Sequence, residues 1–346
     1  PNSINSIEIK IPKSKKYIKN FIKIYTDKNL VTNAIPQRLK QNFDANIQVN
    51  YKFGSCVFKG RVRQQGDLLD HLKLVKGEPI RSLKVKLETG NIMNAVRFRL
   101  LIPETRNSLN EIFGTVILNE LGFITPNTFE KIVYVNGTKS KMIFSEDSQK
   151  ELLESHNRRE GPIFSGDETL IFSEKFFDKN PFKISLSRLV NHKWFLKGKS
   201  SQNITLHSYS RMQNVYLEEV LHNEEYQNLV IDPSNDKYKF LKDYSFLLLA
   251  MNGKHGLFLN NRKFYYNSFI DEFEPIYNDG NFHLDRDSNL ILQRDIKNLN
   301  LNNFNENYKF SFIDKFKNKE FKKIIFNKFN KRIVKSNKKT LRFFEE

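Results

Sequence analysis

The sequence predicts an α+β chain of two lobes, an antiparallel-sheet lobe followed by a mostly helical one. Three observations carry this. Residues 57–101 hold three stretches in which apolar and polar residues alternate, the period of half-buried strands. Residues 129–144 give two further strands around Asn136-Gly137, the favoured two-residue hairpin turn. After residue 186 the apolar spacing widens to helical in the segments 186–197, 211–223, 237–251 and 315–335.

Taken in order, Ile7 to Ile11 alternates as a strand, and residues 13–40 are basic and mixed, interrupted by Pro36. Residues 1–56 therefore read as an N-terminal strand with a basic extension. Val57–Gln64 is the first strand of a meander, ended by Gly66-Asp67. Asp70–Gly77 is a loop or short helix. Ser82–Leu87 and Ala95–Leu101 follow as strands, with Arg and Lys on their polar phase, and Pro103-Glu104 closes the last. Asn107 or Ser108 opens a helix. Ser108 and Glu111 make a capping box, and Gly122 stops the helix after Leu121. A second helix spans 147–156. These elements make a first lobe of residues 57–164. Residues 165–185 are Phe-rich and irregular, a loop or lid at the start of a second lobe, 165–346. Within that lobe lies a polar hairpin, residues 252–280, NGKHGLFLNNRKFYYNSFIDEFEPIYNDG. A sheet-rich lobe, then a helical lobe with a polar hairpin, is the order of a two-lobed protein-kinase-like fold.

The 57 lysines and arginines against 39 acids give a net charge of +18. Such a surplus favours an anionic partner: nucleotide, nucleic acid, acidic glycan or lipid surface. It is concentrated between Lys315 and Arg342, where twelve basic residues meet one acid, Glu320. That basic helix is a solvated face or a docking surface, membrane included. The one cysteine, Cys56, excludes an intrachain disulfide and a Cys-rich zinc site. No apolar run approaches the roughly 20 residues of a membrane helix. The chain starts at Pro1 rather than Met, so a preceding signal or anchor is compatible with it.

Four stretches share an order with a known family. They are VRQQGDLLDHL (62–72), SLKVKL (82–87), FRLLIPETR (98–106) and the segment from Lys150 to Ile163, with its KELLE and REGPI. The 252–280 hairpin follows with paired amides, FYYN and an EPI-containing strand before Asp279. In this order the chain resembles the CotH-like atypical kinases, more closely a bacterial branch associated with surface-polysaccharide genes. The likeness spans about residues 55–285.

The resemblance implies phosphoryl transfer from ATP with Mg²⁺, in which the protein mostly positions groups and offsets charge. It implies Lys84 or Lys86 on the nucleotide phosphates, with Lys86 preferred, and Glu111 (or Glu120) holding that lysine. It places Arg63 and Asp67 near the phosphates and Glu146 at the adenine edge. Asn260 or Asn261, together with Asp279, would hold the metal. The acceptor it implies is an envelope protein or a surface glycan, and the cell envelope is the compartment it favours. His255 stands where the family has an Asp that orients the acceptor hydroxyl. An imidazole ordinarily titrates near neutrality and can act as a base; a changed residue there equally fits a kinase-like binding module without turnover. The glycine-rich, HRD and DFG signatures of classical kinases are absent.

Each feature also has a plain structural use. Lys84 and Lys86 fit an exposed strand face, Glu111 a capping acid, and Asn and Asp near 260 and 279 ordinary turn residues. His71 and His156 have no zinc spacing. A third function, nucleic-acid binding, rests on charge alone, for no helix-turn-helix, RNP or zinc-finger pattern is present.

Overall fold

The computed structural model describes residues 1–27, 35–167, 187–221, 239–284, 310 and 312–334. The chain divides into two compact units. The first comprises residues 1–112, 127–147 and 327–346; the second comprises 113–126 and 148–326. The elements in chain order are β1 (Ile4–Lys10), α1 (Ser14–Tyr25), β2 (Phe43–Tyr51), β3 (Gly54–Gln64), β4 (Leu72–Val75), β5 (Glu78–Arg81), β6 (Leu83–Leu87) and β7 (Arg97–Leu101). Next come α2 (Leu109–Glu120), β8 (Thr128–Val135), β9 (Thr138–Glu146), α3 (Lys150–Ser155), β10 (Ile163–Gly166), β11 (Ser187–Leu189), α4 (His192–Phe195), α5 (Lys199–Leu221) and α6 (Lys239–Ala250). The chain continues with β12 (Lys263–Asn267), β13 (Glu272–Ile276), α7 (Ile313–Lys317) and α8 (Lys319–Asn330).

In the first unit seven strands close into a barrel of order β1-β2-β3-β6-β7-β9-β8. Six of the pairings are antiparallel; β1 and β8 close the ring in parallel, Ile7 opposite Val133. Alternation builds the interior. Ile7, Ile9, Ile47, Val49, Leu83, Val85, Phe98 and Leu100 are buried on the inward phase. Phe144 stacks between Phe98 and Phe129, with ring centroids 4.6 and 4.4 Å away. Gly60 lets strands approach at one point: a Cβ there would lie 2.6 Å from the Lys86 carbonyl oxygen. Helix α1 packs Tyr17, Phe21 and Ile24 inward. The Arg81 guanidinium lies 3.9 Å from the Tyr17 ring centre and donates to the Asn20 side chain and the Tyr17 carbonyl. Burial lowers the Arg81 pKa and raises that of Tyr17.

This barrel overturns the two-lobed kinase-like fold expected from the sequence, with its antiparallel-sheet N-lobe and mostly helical C-lobe. The alternating strands are present. Local pattern says nothing, however, about the parallel β1–β8 pairing that joins residues 6–9 to 132–135. Residues 4–51, set apart above as a strand and extension, supply β1, β2 and α1 of the barrel unit, and β3 begins at Gly54 instead of Val57. The second unit is not purely helical either. It contains an antiparallel sheet of order β11-β10-β12-β13 beside its helices. Residues expected to be helical from 186 hold the strand β11 and the short α4.

The hairpin at 129–144 and the helices at 109–120, 150–155 and 239–250 lie where the patterns place them, within a few residues. The C-terminal helix is two, α7 and α8. They are separated at Asn318, whose side-chain oxygen accepts the backbone N–H of Glu320 at 2.8 Å, an N-cap. Beyond α8 the chain lies on β8, with the Glu130 N–H donating to the Arg332 carbonyl at 2.8 Å. The expected lid at 165–185 lies outside the described residues from 168 onward.

Candidate functional site

In the second unit a polar cluster forms where the chain leaves α6. Tyr244, Leu247, Leu248 and Met251 pack with Tyr277 and Phe282, which fixes the helix against the segment after β13. Two glycines then allow a tight return. A Cβ at Gly253 would sit 2.7 Å from the Phe282 ring, and one at Gly256 would sit 3.1 Å from both the Asn278 carbonyl oxygen and the Gly280 Cα. The turn Lys254–Leu257 therefore lies directly on residues 278–282. Asn252, Asp279 and Asn281 adopt left-handed backbone angles (φ of 52°, 51° and 55°), which Asn and Asp tolerate better than most residues.

This packing gathers His255, Asn261, Asn278 and Asp279, with Asn260 next to them. The His255 Nδ1 lies 2.8 Å from the Asp279 carbonyl oxygen. A carbonyl only accepts, so this contact calls for the neutral tautomer with its proton on Nδ1 and a lone pair on Nε2, whereas the Asn261 amide nitrogen beside Nδ1 calls for the other. The Asn261 amide nitrogen donates to the His255 carbonyl at 3.0 Å and lies 3.1 Å from Nδ1 and 3.4 Å from Nε2. The Asp279 carboxylate is 3.8 Å from Nδ1. Asn278 donates to the Asn261 carbonyl at 3.0 Å and accepts from Lys263 Nζ at 2.9 Å. Asn260 donates to the Asn261 side-chain oxygen at 3.3 Å. Its own Oδ1 is buried and has no hydrogen-bond donor among the described residues, in a side chain only 8% exposed. A buried acceptor left without a donor costs free energy that a bound cation or water would return.

Asn260 and Asp279 are the residues of this cluster that could contribute oxygen ligands to a metal. No group of three or more His, Cys, Asp or Glu side chains that could hold an ion occurs among the described residues. One carboxylate, Asp279, and an amide oxygen, Asn260, match the sparse protein ligation of a Mg²⁺ that takes its other ligands from phosphates and water.

The barrel unit carries the other expected residues except Glu120, which lies in the second unit. Lys84 and Lys86 both face outward from β6, between inward Leu83, Val85 and Leu87. Register places Arg63, Lys84, Arg99 and Ser145 in one cross-strand row and Arg61, Lys86 and Arg97 in the next. The carboxylate that meets Lys84 is Asp147, at 2.8 Å, and not Glu111, which is buried on the first turn of α2. Lys86 is exposed, and neither it nor Arg63 has an acidic partner among the described residues. Asp67 pairs with the buried Lys40. Glu146 lies opposite inward-facing Phe98, is 1% exposed, and accepts the Asn127 side-chain amide at 2.9 Å, so it serves the barrel wall. Glu120 ends α2.

Sequence pattern missed Asp147, Arg97 and Arg99, and it missed Asn278 and Lys263 in the second cluster. The alternation of residues 95–101 contained the arginine signal, but only the register makes the rows. No protein-family model matches the chain, and no curated protein matches it.

Proposed function

We propose that the chain is a magnesium-dependent phosphotransferase that uses ATP, of the CotH-like kind its motifs resemble, acting on an envelope protein or surface glycan. The barrel removes the kinase fold as support. What remains is the side-chain cluster of the second unit, and the observation that carries the proposal is the donor-less, buried Oδ1 of Asn260 beside the His255, Asn261 and Asp279 network. Asn260 and Asp279 would hold the ion together with nucleotide phosphates. The ion would offset charge on the transferred phosphoryl oxygens. Asp279 also fixes the imidazole through its carbonyl, which orients the ring and favours the tautomer with a basic Nε2. That nitrogen can take the proton of an acceptor hydroxyl, and the side chain is 45% exposed, so an acceptor can reach it.

One observation favours a second reading, a nucleotide-binding module without turnover. The Asn261 amide nitrogen is within 3.4 Å of Nε2 and competes for the lone pair a base needs. Titration with ATP in the presence and absence of Mg²⁺, alongside ADP formation, separates the two. Magnesium-dependent binding with ADP release supports the transferase, and binding without release supports the module. Loss of both in a folded Asp279→Asn variant ties either to this cluster. The amide keeps the turn but not the charge that an ion bridging phosphates needs. A wild-type protein indifferent to Mg²⁺ and ATP would falsify both readings.

A further inference from the structure

Helix α1 presents an unusual outer face. Its buried side takes Tyr17, Asn20, Phe21 and Ile24. Yet Ile18, Ile22 and Tyr25 are 42%, 52% and 47% exposed. At 3.6 residues per turn these three fall within about 60° of arc, a continuous stripe along one flank of the helix. Lys15, Lys19 and Lys23 continue round the helix from that stripe, and Lys16 lies beyond them. Residues 11–26 contain no acid. An ordinary solvated helix face would not carry three large apolar side chains in register. The C-terminal helix α8 is different. It keeps Ile325 and Phe329 buried, exposes a single large aliphatic side chain, Ile324, and its lysines share the surface with Glu320.

We propose that α1 docks the protein on an anionic lipid surface. The chemistry of the stripe decides between partners. Lysines alone suit any polyanion, nucleic acid included. Lysines beside an exposed Ile-Ile-Tyr stripe match a helix lying in a membrane interface, with apolar side chains at the headgroup boundary and ammonium groups over acidic headgroups. Tyr25, stacked on Phe21 with centroids 5.6 Å apart, brings a ring whose hydroxyl stays wet at that boundary. The helix is 12 residues, about 18 Å, too short to cross a bilayer and long enough to lie on one. The inward residues anchor it to the barrel unit: the Tyr17 ring packs edge-on against Phe43, 5.4 Å between centroids, and Arg81 lies over Tyr17. Docking therefore needs no change in α1. This inference does not rest on the phosphotransferase proposal.

The test is cosedimentation with vesicles of phosphatidylcholine alone and of phosphatidylcholine mixed with phosphatidylglycerol. Binding to the mixed vesicles only, released by salt, is expected. Joint replacement of Lys15, Lys19 and Lys23 by Ala should weaken it on the order of a hundredfold, given the contribution of each lysine near an acidic surface. Replacement of the same three by Arg should retain it. Ile18→Ser with Ile22→Ser should weaken it by about tenfold through lost apolar contact. All five side chains point outward, so circular dichroism melts should match wild type. Should the alanine variant fail to fold, Ile22→Trp decides. A blue shift of its emission with mixed vesicles supports the proposal, and an unmoved emission overturns it. Equal binding to phosphatidylcholine alone, or unaltered binding of the lysine and isoleucine variants, also overturns it. So does binding of an oligonucleotide in place of vesicles that depends on the lysines but not on Ile18 and Ile22.

Discussion

Replacing Asn260 with Leu separates a ligand site from a merely polar loop. Leucine has nearly the shape of asparagine but no polar atoms. In the free protein the change removes a buried acceptor that has no donor among the described residues, which costs about 2 kcal/mol. It also removes the Asn260–Asn261 hydrogen bond, 3.3 Å long, and so leaves the buried Asn261 side-chain oxygen without that donor, a cost of similar size. The two terms roughly cancel, so the variant alone should melt close to wild type. With ATP and Mg²⁺ at a hundred times the dissociation constant, wild type should gain about 2.7 kcal/mol and the variant far less. Two differential-scanning-fluorimetry series would separate: the variant melts near wild type alone and below it with nucleotide and metal. A folded variant that keeps the full response to ATP and Mg²⁺ would refute the role of Asn260 as ligand.

Three further outcomes follow from the geometry. Gly166→Ala should destabilise the second unit by about 3 kcal/mol and weaken any response to ATP and Mg²⁺, read in the same melts. Its Cβ would fall 2.0 Å from the Leu259 carbonyl oxygen and 2.5 Å from the Asn260 Cα, backbone that cannot step aside. Lys84→Met should lower stability in urea by about 1–2 kcal/mol, because it strips an ammonium from the largely buried Asp147, whereas Lys86→Met, on the same face but more exposed, should change it by less than about 0.5 kcal/mol; equal effects would dispute the Lys84–Asp147 pair. Burial and then the Glu274 carboxylate hold the Tyr265 hydroxyl up to about 12 from its ordinary 10.0. The folded protein keeps that proton where the unfolded chain releases it, so the contribution is complete below pH 10 and lost as pH rises toward 12. Alkaline melts of Tyr265→Phe should show a shallower loss, and parallel curves would count against the shift.

Individual elements were legible in the sequence because their cause is local. Asn136-Gly137 supplies the hairpin turn, and Leu83, Val85 and Leu87 alternate with two lysines, which sets strand and face together. The hairpin β12–β13 came from the same logic. What was not legible depends on partners far apart in sequence. Nothing near Ile7 names Val133 as its neighbour, so barrel closure is invisible in the sequence. Glu146 reads as a polar strand end and could serve either face; only its register opposite Phe98 turns it inward. The resemblance implies Glu111 as partner of Lys86 or Lys84, while in space Asp147, just past the end of β9, meets Lys84. For the second cluster, the residue types were readable from 255 to 279. The closeness that joins them comes from Gly253 and Gly256, whose lack of a side chain is easily taken for simple flexibility.

The parallel seam between β1 and β8 has a consequence for biosynthesis. A ribosome makes Ile7 well over a hundred residues before Val133, its partner. At ordinary elongation rates that gap lasts on the order of ten seconds. Throughout it, one edge of the nascent β1-β2-β3 sheet offers unpaired backbone groups and an isoleucine-rich flank to other chains. Lys10 and Glu8 on the outward phase discourage such pairing but do not block it. Slowing translation before residue 135 should therefore lower soluble yield, whereas the same pause placed after β9 should not.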